Sequence, residues 1–143
     1  MKVRDVARII EEFAPLEAAA EWDNTGLCIG SPDAEVKGVL VGFDCTPELI
    51  AEAVERGANM VVTHHPLIFR GVKRISPDSF LGSAITLAIK HDIAVYAAHT
   101  NADKAACGVN DLMADRLGLK NRSVLSADGF GLVPTWWLTL SGS

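Results

Sequence analysis

The sequence predicts an α/β fold with a mainly parallel sheet flanked by helices, folded as one domain over residues 1–143. Short apolar segments alternate three times with segments of helical periodicity, which is the order of strands and helices in a parallel sheet. The apolar segments are continuous, as expected for strands that are covered on both faces. The length suits one domain, and a hydrophobic content of 49% is enough for a core.

The first half of the chain is predicted from local signals in chain order. Residues 3–13 carry an apolar stripe at helical spacing, and residues 22–33, rich in Asp, Asn and Gly, predict a turn-rich connector. Residues 36–43 are predicted to form a strand. Residues 47–56 are predicted to form a helix, because Thr46 is a suitable N-cap, a proline follows it and a glycine ends the segment.

The second half continues the alternation. The apolar residues 60–63 and 93–98 predict two buried strands. Residues 79–90 predict a helix between them, because their apolar residues recur on one helical face. Residues 110–117 predict a last helix, which a glycine ends.

Charge and cysteine content narrow the functional classes. The net charge is −5 and the isoelectric point is near 5.3, so binding to nucleic acid is not expected. The short basic segment 70–74 is interpreted as a solvated loop, with a local anion contact as the alternative. Three cysteines without a CxxC motif predict a reducing, cytoplasmic compartment. Cys45 and Cys107 are expected to be small buried residues, and no apolar run is long enough for a membrane helix.

Polar side chains follow all three predicted strands. Asp44 follows the first strand, His64 and His65 follow the second, and His99 follows the third, with Asp103 four residues later. Ligands of open α/β sheets bind beyond the carboxyl ends of the strands, so these side chains are expected to converge there. The sequence therefore predicts a metal site with His64, His65, His99 and Asp103 as candidate ligands.

The donor types restrict the metal and its chemistry. Imidazole and carboxylate donors without thiolate suit Zn, Mn, Fe, Ni or Co better than Ca. Adjacent histidines point to opposite faces of a regular strand, so His64 and His65 share a metal site only if the strand ends there, which Pro66 favours. Two metals that share a bridging carboxylate would explain such a pair.

Several roles stay open at this point. Asp44 is a candidate metal ligand, a hydrogen-bond partner of a ligand histidine, or a turn and N-cap carboxylate. Asp23 and Asn24 are expected to hold their own turn, and His91 is expected to lie on the surface.

Three functional hypotheses follow from these residues. The first is a metal-dependent hydrolase of a phosphoester or nucleotide, in which Asp44 or His99 accepts a proton. The second is a non-catalytic metal-binding scaffold. The third is a remnant α/β domain with an empty site. Neither a P-loop nor a nucleophile-elbow motif occurs in the sequence.

Five segments together resemble a known family. They are residues 22–27 (Trp-Asp-Asn-Thr-Gly-Leu), 61–69 (Val-Val-Thr-His-His-Pro-Leu-Ile-Phe), 98–103 (Ala-His-Thr-Asn-Ala-Asp), 108–110 and 117–119. In this order they resemble the NGG1-interacting-factor-three-like family, also known as the GTP cyclohydrolase 1 type 2 homolog group. The resemblance extends over about residues 3–132.

The resemblance implies an α/β fold and a two-metal site inside a ring-shaped homohexamer. His64, His65 and Asp103 match the family's metal ligands, and His99 matches a further histidine that is a ligand or its neighbour. Cys107 departs from the family pattern, which has a glycine there. Family members also continue further and supply a late histidine and glutamate to the metal site. The chain is therefore expected to be an N-terminal portion or a truncated member, and its apolar segment 130–140 is expected to lie against missing sequence or another subunit.

Overall fold

A computed structural model describes residues 1–134 and contains a four-stranded sheet with helices on both faces. A second, two-stranded sheet follows near the end of the described residues. The segment 130–140 lies largely outside the described residues. The helices are α1 (Val3–Phe13), α2 (Pro47–Glu55), α3 (Phe80–Lys90), α4 (Thr100–Lys104) and α5 (Val109–Arg116), and the strands are β1 (Gly26–Ile29), β2 (Val39–Gly42), β3 (Met60–Thr63), β4 (Ala94–Ala97), β5 (Arg122–Val124) and β6 (Leu132–Pro134).

The strand order of the main sheet is β1–β4–β3–β2. Strands β2, β3 and β4 run parallel, so the predicted mainly parallel sheet is confirmed. Strand β1 pairs with β4 in the antiparallel direction, with Gly26 opposite Ala97. The predicted turn-rich connector over residues 22–33 therefore also contains a strand that the sequence did not indicate, because pairing with a strand about 70 residues further on creates β1 there.

The predicted start of α2 is confirmed, and α3 starts with the same kind of cap. The hydroxyl oxygen of Thr46 accepts a hydrogen bond from the Leu49 N–H at 3.1 Å, and α2 begins with Pro47. Ser79 caps α3 in the same way through the Gly82 N–H. Each cap satisfies a backbone donor that has no partner within the helix.

The two faces of the sheet have separate cores. Ile50 of α2 and Ala84 of α3 share a buried cluster with Val61 of β3. On the opposite face, Val3 of α1 shares a buried cluster with Tyr96 of β4. The edge strand β2 is less covered, because Val39 and Val41 within it and Phe43 directly after it are exposed.

The three cysteines lie within the described residues and are free thiols. Cys45 is buried, as predicted, but Cys107 is exposed, so its predicted burial is wrong. Cys107 has a φ of 59°, a left-handed conformation that a glycine adopts more easily. Cys107 therefore occupies a surface turn. Within residues 1–134, every helix is too short or too polar to span a membrane.

Candidate metal centre

The three predicted histidines of the site lie together at the carboxyl ends of β3 and β4. One ring nitrogen each from His64, His65 and His99 lies within 4.8 Å of those of the other two. Their ring centroids are 5.1 to 5.5 Å apart. The parallel pairing of β3 and β4 produces this cluster, because Thr63 lies opposite Ala97 and both strands end there. The predicted surface residue His91 is exposed at the end of α3.

The chain turns directly after Thr63, which brings the two neighbouring histidines into one cluster. The Thr63 hydroxyl donates to the His65 carbonyl at 2.8 Å. The backbone N–H of His65 donates to the Phe43 carbonyl at 3.1 Å. These bonds replace the regular strand geometry, which would direct the two side chains to opposite faces of the sheet.

His64 makes a hydrogen bond through Nδ1, and its Nε2 faces a carboxylate. Its Nδ1 lies 2.9 Å from the carbonyl oxygen of Ala98. Because a carbonyl can only accept, Nδ1 is the donor of this contact, and Nε2 is the lone-pair nitrogen of the neutral ring. That Nε2 lies 3.4 Å from Oδ1 of Asp103. Two donor atoms bound to one tetrahedral metal ion at about 2.05 Å lie about 3.3 Å apart, so this pair has a suitable spacing.

Asp103 reaches His64 because of a short helix that the sequence did not indicate. Helix α4 starts directly after His99, and the Asp103 N–H donates to the His99 carbonyl at 3.0 Å. One helical turn therefore separates the two residues and places both on the same side of α4. With only five residues, α4 lacks the apolar periodicity from which a helix is predicted.

His99 is held by a buried aspartate that sequence reasoning assigned to its own turn. Nδ1 of His99 lies 2.9 Å from Oδ1 of Asp23. The other oxygen of Asp23 accepts from the Thr100 backbone N–H at 3.1 Å and from its hydroxyl at 2.6 Å. Asp23 also accepts from the Asn24 N–H at 2.8 Å, so the predicted turn contact exists. Asp23 therefore holds its own turn as predicted and also holds His99, a role that the sequence did not indicate.

The environment of Asp23 favours its charged form. Its side chain is fully buried, and burial by itself would raise the pKa. The hydrogen bonds from Thr100 and His99 outweigh that effect, so the pKa of Asp23 is lowered from its ordinary value. The resulting carboxylate keeps the proton of His99 on Nδ1 and leaves the Nε2 lone pair available.

His65 is paired with Asp44 at the exposed edge of the cluster. Nδ1 of His65 lies 2.6 Å from Oδ1 of Asp44, whose side chain is 61% exposed. The N-cap position of α2 belongs to Thr46, so of the roles left open for Asp44 the geometry favours partner of a histidine. A cavity of about 280 Å³ lies beside this pair and is lined also by Pro66 and Phe80.

These features describe an α/β protein with a histidine cluster at the carboxyl ends of parallel strands, each imidazole being held through Nδ1. The sequence matches the Duf34/NIF3 (NGG1p interacting factor 3) family over residues 1–139. The chain therefore belongs to this family, and the resemblance noted in the sequence is confirmed.

Curated relatives share the N-terminal part of their sequence with this chain. A Clostridium acetobutylicum protein named GTP cyclohydrolase 1 type 2 homolog is 40% identical over 126 residues, and a Staphylococcus aureus protein of the same name is 44% identical over 126 residues. Both comparisons cover 88% of this chain, but 47% and 34% of the respective relative. The chain thus spans less than half the length of these relatives.

Solved structures have the same fold. A Bacillus cereus protein related to NIF3 superposes with a TM-score of 0.84 at 44% identity, covering 88% of this chain and 35% of that protein. Reduced HcgD from Methanocaldococcus jannaschii superposes with a TM-score of 0.87 at 31% identity, covering 99% of this chain and 58% of that protein.

Proposed function

We propose that this chain binds divalent metal ions and forms part of a metal-dependent hydrolase. His64, His65, His99 and Asp103 are the proposed ligands. The observation that carries the proposal is shared by the three imidazoles: Nδ1 of each ring lies within hydrogen-bond distance of a protein oxygen. Histidines that bind metals are typically held in this way, because the second hydrogen bond sets the tautomer and the ring orientation.

The donor set also indicates the class of metal. Three imidazoles and one carboxylate suit Zn, Mn, Fe, Ni or Co. A single ion spans donor atoms up to about 4.2 Å apart, whereas two ions about 3.5–4 Å apart accommodate a wider cluster. The 4.8 Å limit on the imidazole nitrogens is compatible with one ion or with two, and Asp103 would be an additional carboxylate ligand.

A divalent metal would lower the pKa of a bound water and polarise the bond to be hydrolysed. Asp44 is the proposed acceptor of the water's proton, because it is exposed beside the cluster. His99 was the other candidate acceptor, and we assign it to metal binding because Asp23 occupies its Nδ1. The proposed substrates are phosphoesters or nucleotides. The name of the curated relatives, GTP cyclohydrolase 1 type 2 homolog, also refers to a nucleotide.

The test of metal binding is a comparison of metal content among point variants. Purified protein is incubated with Mn, Fe or Zn, desalted and analysed by mass spectrometry for metal per chain. His64→Ala and Asp103→Ala are expected to lose at least half of the bound metal. His91→Ala is the matched control, because His91 is exposed at the end of α3 and should leave the content unchanged. A wild-type content near zero would refute the proposal.

A non-catalytic metal-binding function is the second candidate, and one observation favours it. Asp23 contacts Nδ1 of His99 and Asp44 contacts Nδ1 of His65, and Asp103 faces His64. These three carboxylates all contact histidines of the cluster. Of the three, only Asp44 is exposed enough to transfer a proton to a substrate or to water. Metal-dependent hydrolysis of p-nitrophenyl phosphate that Asp44→Asn abolishes, with metal content retained, would support the hydrolase and contradict the scaffold.

We also propose that the chain forms a homo-oligomer, as the ring-shaped hexamer implied by the family resemblance requires. The exposed apolar side chains of Val39, Val41 and Phe43 support this, since parallel strands are ordinarily covered on both faces. Light scattering on the purified chain tests it, and a monodisperse monomer would contradict it.

A further inference from the structure

Two exposed aromatic rings border the histidine cluster next to His99. Trp22 is 62% exposed and Phe69 is 41% exposed. Their ring centroids lie 6.0 Å apart at an interplanar angle of 69°, so the two rings form the walls of a corner. Each ring also lies 6.5 Å from His99 in an edge-to-face arrangement. An aromatic corner thus adjoins a proposed metal ligand.

The backbone that carries these two rings is held by long-range hydrogen bonds. Asp23, which follows Trp22, binds His99 and Thr100. The side-chain amide of Asn24 donates to the carbonyl of Ile68, the residue before Phe69. These bonds join the two loops to each other and to the cluster. A ligand would therefore meet a preformed wall, which lowers the entropic cost of binding.

The neighbouring Phe43 differs from Trp22 and Phe69, because one face of its ring is already covered by another ring. Its ring stacks on His64 at 5.4 Å with an interplanar angle of 14°, so one face of Phe43 is covered by the imidazole. Trp22 and Phe69 contact each other and His99 edge-to-face. That geometry does not cover the face of one ring with the face of another, and offset stacking with a planar ligand is a preferred aromatic arrangement.

We propose that Trp22 and Phe69 bind a planar aromatic or heteroaromatic ring of the ligand, whose polar end then reaches the histidine cluster. Ligand sites combine apolar walls with a few polar groups, as this corner and cluster do. The proposal rests on the proposed function in one respect, since it names the class of substrate for that metal centre. Ring binding itself is measurable without metal.

The experiment compares two neutral amides of similar size, benzamide and cyclohexanecarboxamide, which differ in whether the ring is aromatic. They are titrated into the ¹⁵N-labelled chain, and the indole N–H signal of Trp22, assigned by its loss in Trp22→Phe, is followed by NMR. Benzamide is expected to shift this signal and to bind at least about threefold more tightly than cyclohexanecarboxamide, because an aromatic pair adds to apolar burial. Equal binding of the two amides would overturn the proposal.

Variants locate the binding. Phe69→Leu is expected to weaken benzamide binding about 3- to 10-fold, whereas Phe13→Leu, which changes another exposed aromatic residue, should leave it unchanged. An unaltered affinity in Phe69→Leu would overturn the proposal. Metal content measured on the same samples tests the proposed metal-dependent function separately from the proposed ring site. Selective benzamide binding by a protein that takes up no metal would refute the proposed function but support the ring site.

Discussion

Single residues in this protein are best understood through the groups that hold them. The three histidines of the cluster are oriented by hydrogen-bond partners at Nδ1. These partners are the Ala98 carbonyl for His64, Asp44 for His65 and Asp23 for His99. Each contact leaves one nitrogen for a ligand, and this is a property of pairs of residues rather than of any one residue.

The cysteines provide a prediction at this scale. At pH 8, iodoacetamide should modify Cys107 rapidly, and Cys28 and Cys45 at least about tenfold more slowly, because the thiolate is the reacting species. Burial raises the pKa of both inner thiols, and burial together with the nearby Cys28 raises the pKa of Cys45 to about 12. Peptide mass spectrometry measures each site.

The control for this labelling is Cys107→Ser, which should leave the native chain without a fast-reacting cysteine. Modification of Cys45 as fast as that of Cys107 would show that the core beneath the site opens readily. Unfolding in urea should make all three thiols react alike.

Helices and strands differ in how much of their position comes from local sequence. The starts of α2 and α3 follow from Thr46 and Ser79, whose hydroxyls cap them. Helix α4 and strand β1 carry no comparable local signal. Strand β1 depends on its partner β4, and α4 depends on a start at His99 that the end of β4 determines.

Helix α3 gives a prediction at the scale of an element. Gly→Ala in a helix usually stabilises it by about 1 kcal/mol. At Gly82 the sign should reverse, because an added Cβ would lie 1.9 Å from the Ser76 carbonyl oxygen. Gly82→Ala is expected to lower the free energy of unfolding by about 1–3 kcal/mol, measured by urea denaturation.

Gly71→Ala is the matched control, since an added Cβ there meets open space and should change the stability by less than about 0.5 kcal/mol. Equal stability of Gly82→Ala and the wild type would mean that the segment before α3 moves aside at little cost.

At the scale of the whole molecule, the candidate centre joins parts of the chain that are distant in sequence. His64 and His65 follow β3, whereas His99 and Asp103 follow β4, with His99 directly before α4 and Asp103 within it. An ion bound by both groups would bind the folded state and not the unfolded chain, so metal should raise the stability of the whole domain.

The expected effect is measurable by thermal unfolding. At a free metal concentration about 100 times Kd, binding adds about 2.7 kcal/mol. This corresponds to a rise in Tm of about 8 °C for a chain of this size. Asp103→Ala should remove most of the rise, and His91→Ala should keep it. A rise of the same size in Asp103→Ala would mean that the ion binds elsewhere.

The sequence by itself determined the alternation of strands and helices, because apolar periodicity and capping residues act locally. It also indicated that His64, His65, His99 and Asp103 converge, since parallel strands share one carboxyl edge. Only the tertiary structure decided which groups hold the imidazoles. Asp23 lies 76 residues from His99 in the chain, and a contact of that kind leaves no local pattern. The physical reason is that such contacts form only when the sheet brings distant strand ends together, and the same long-range pairing creates β1.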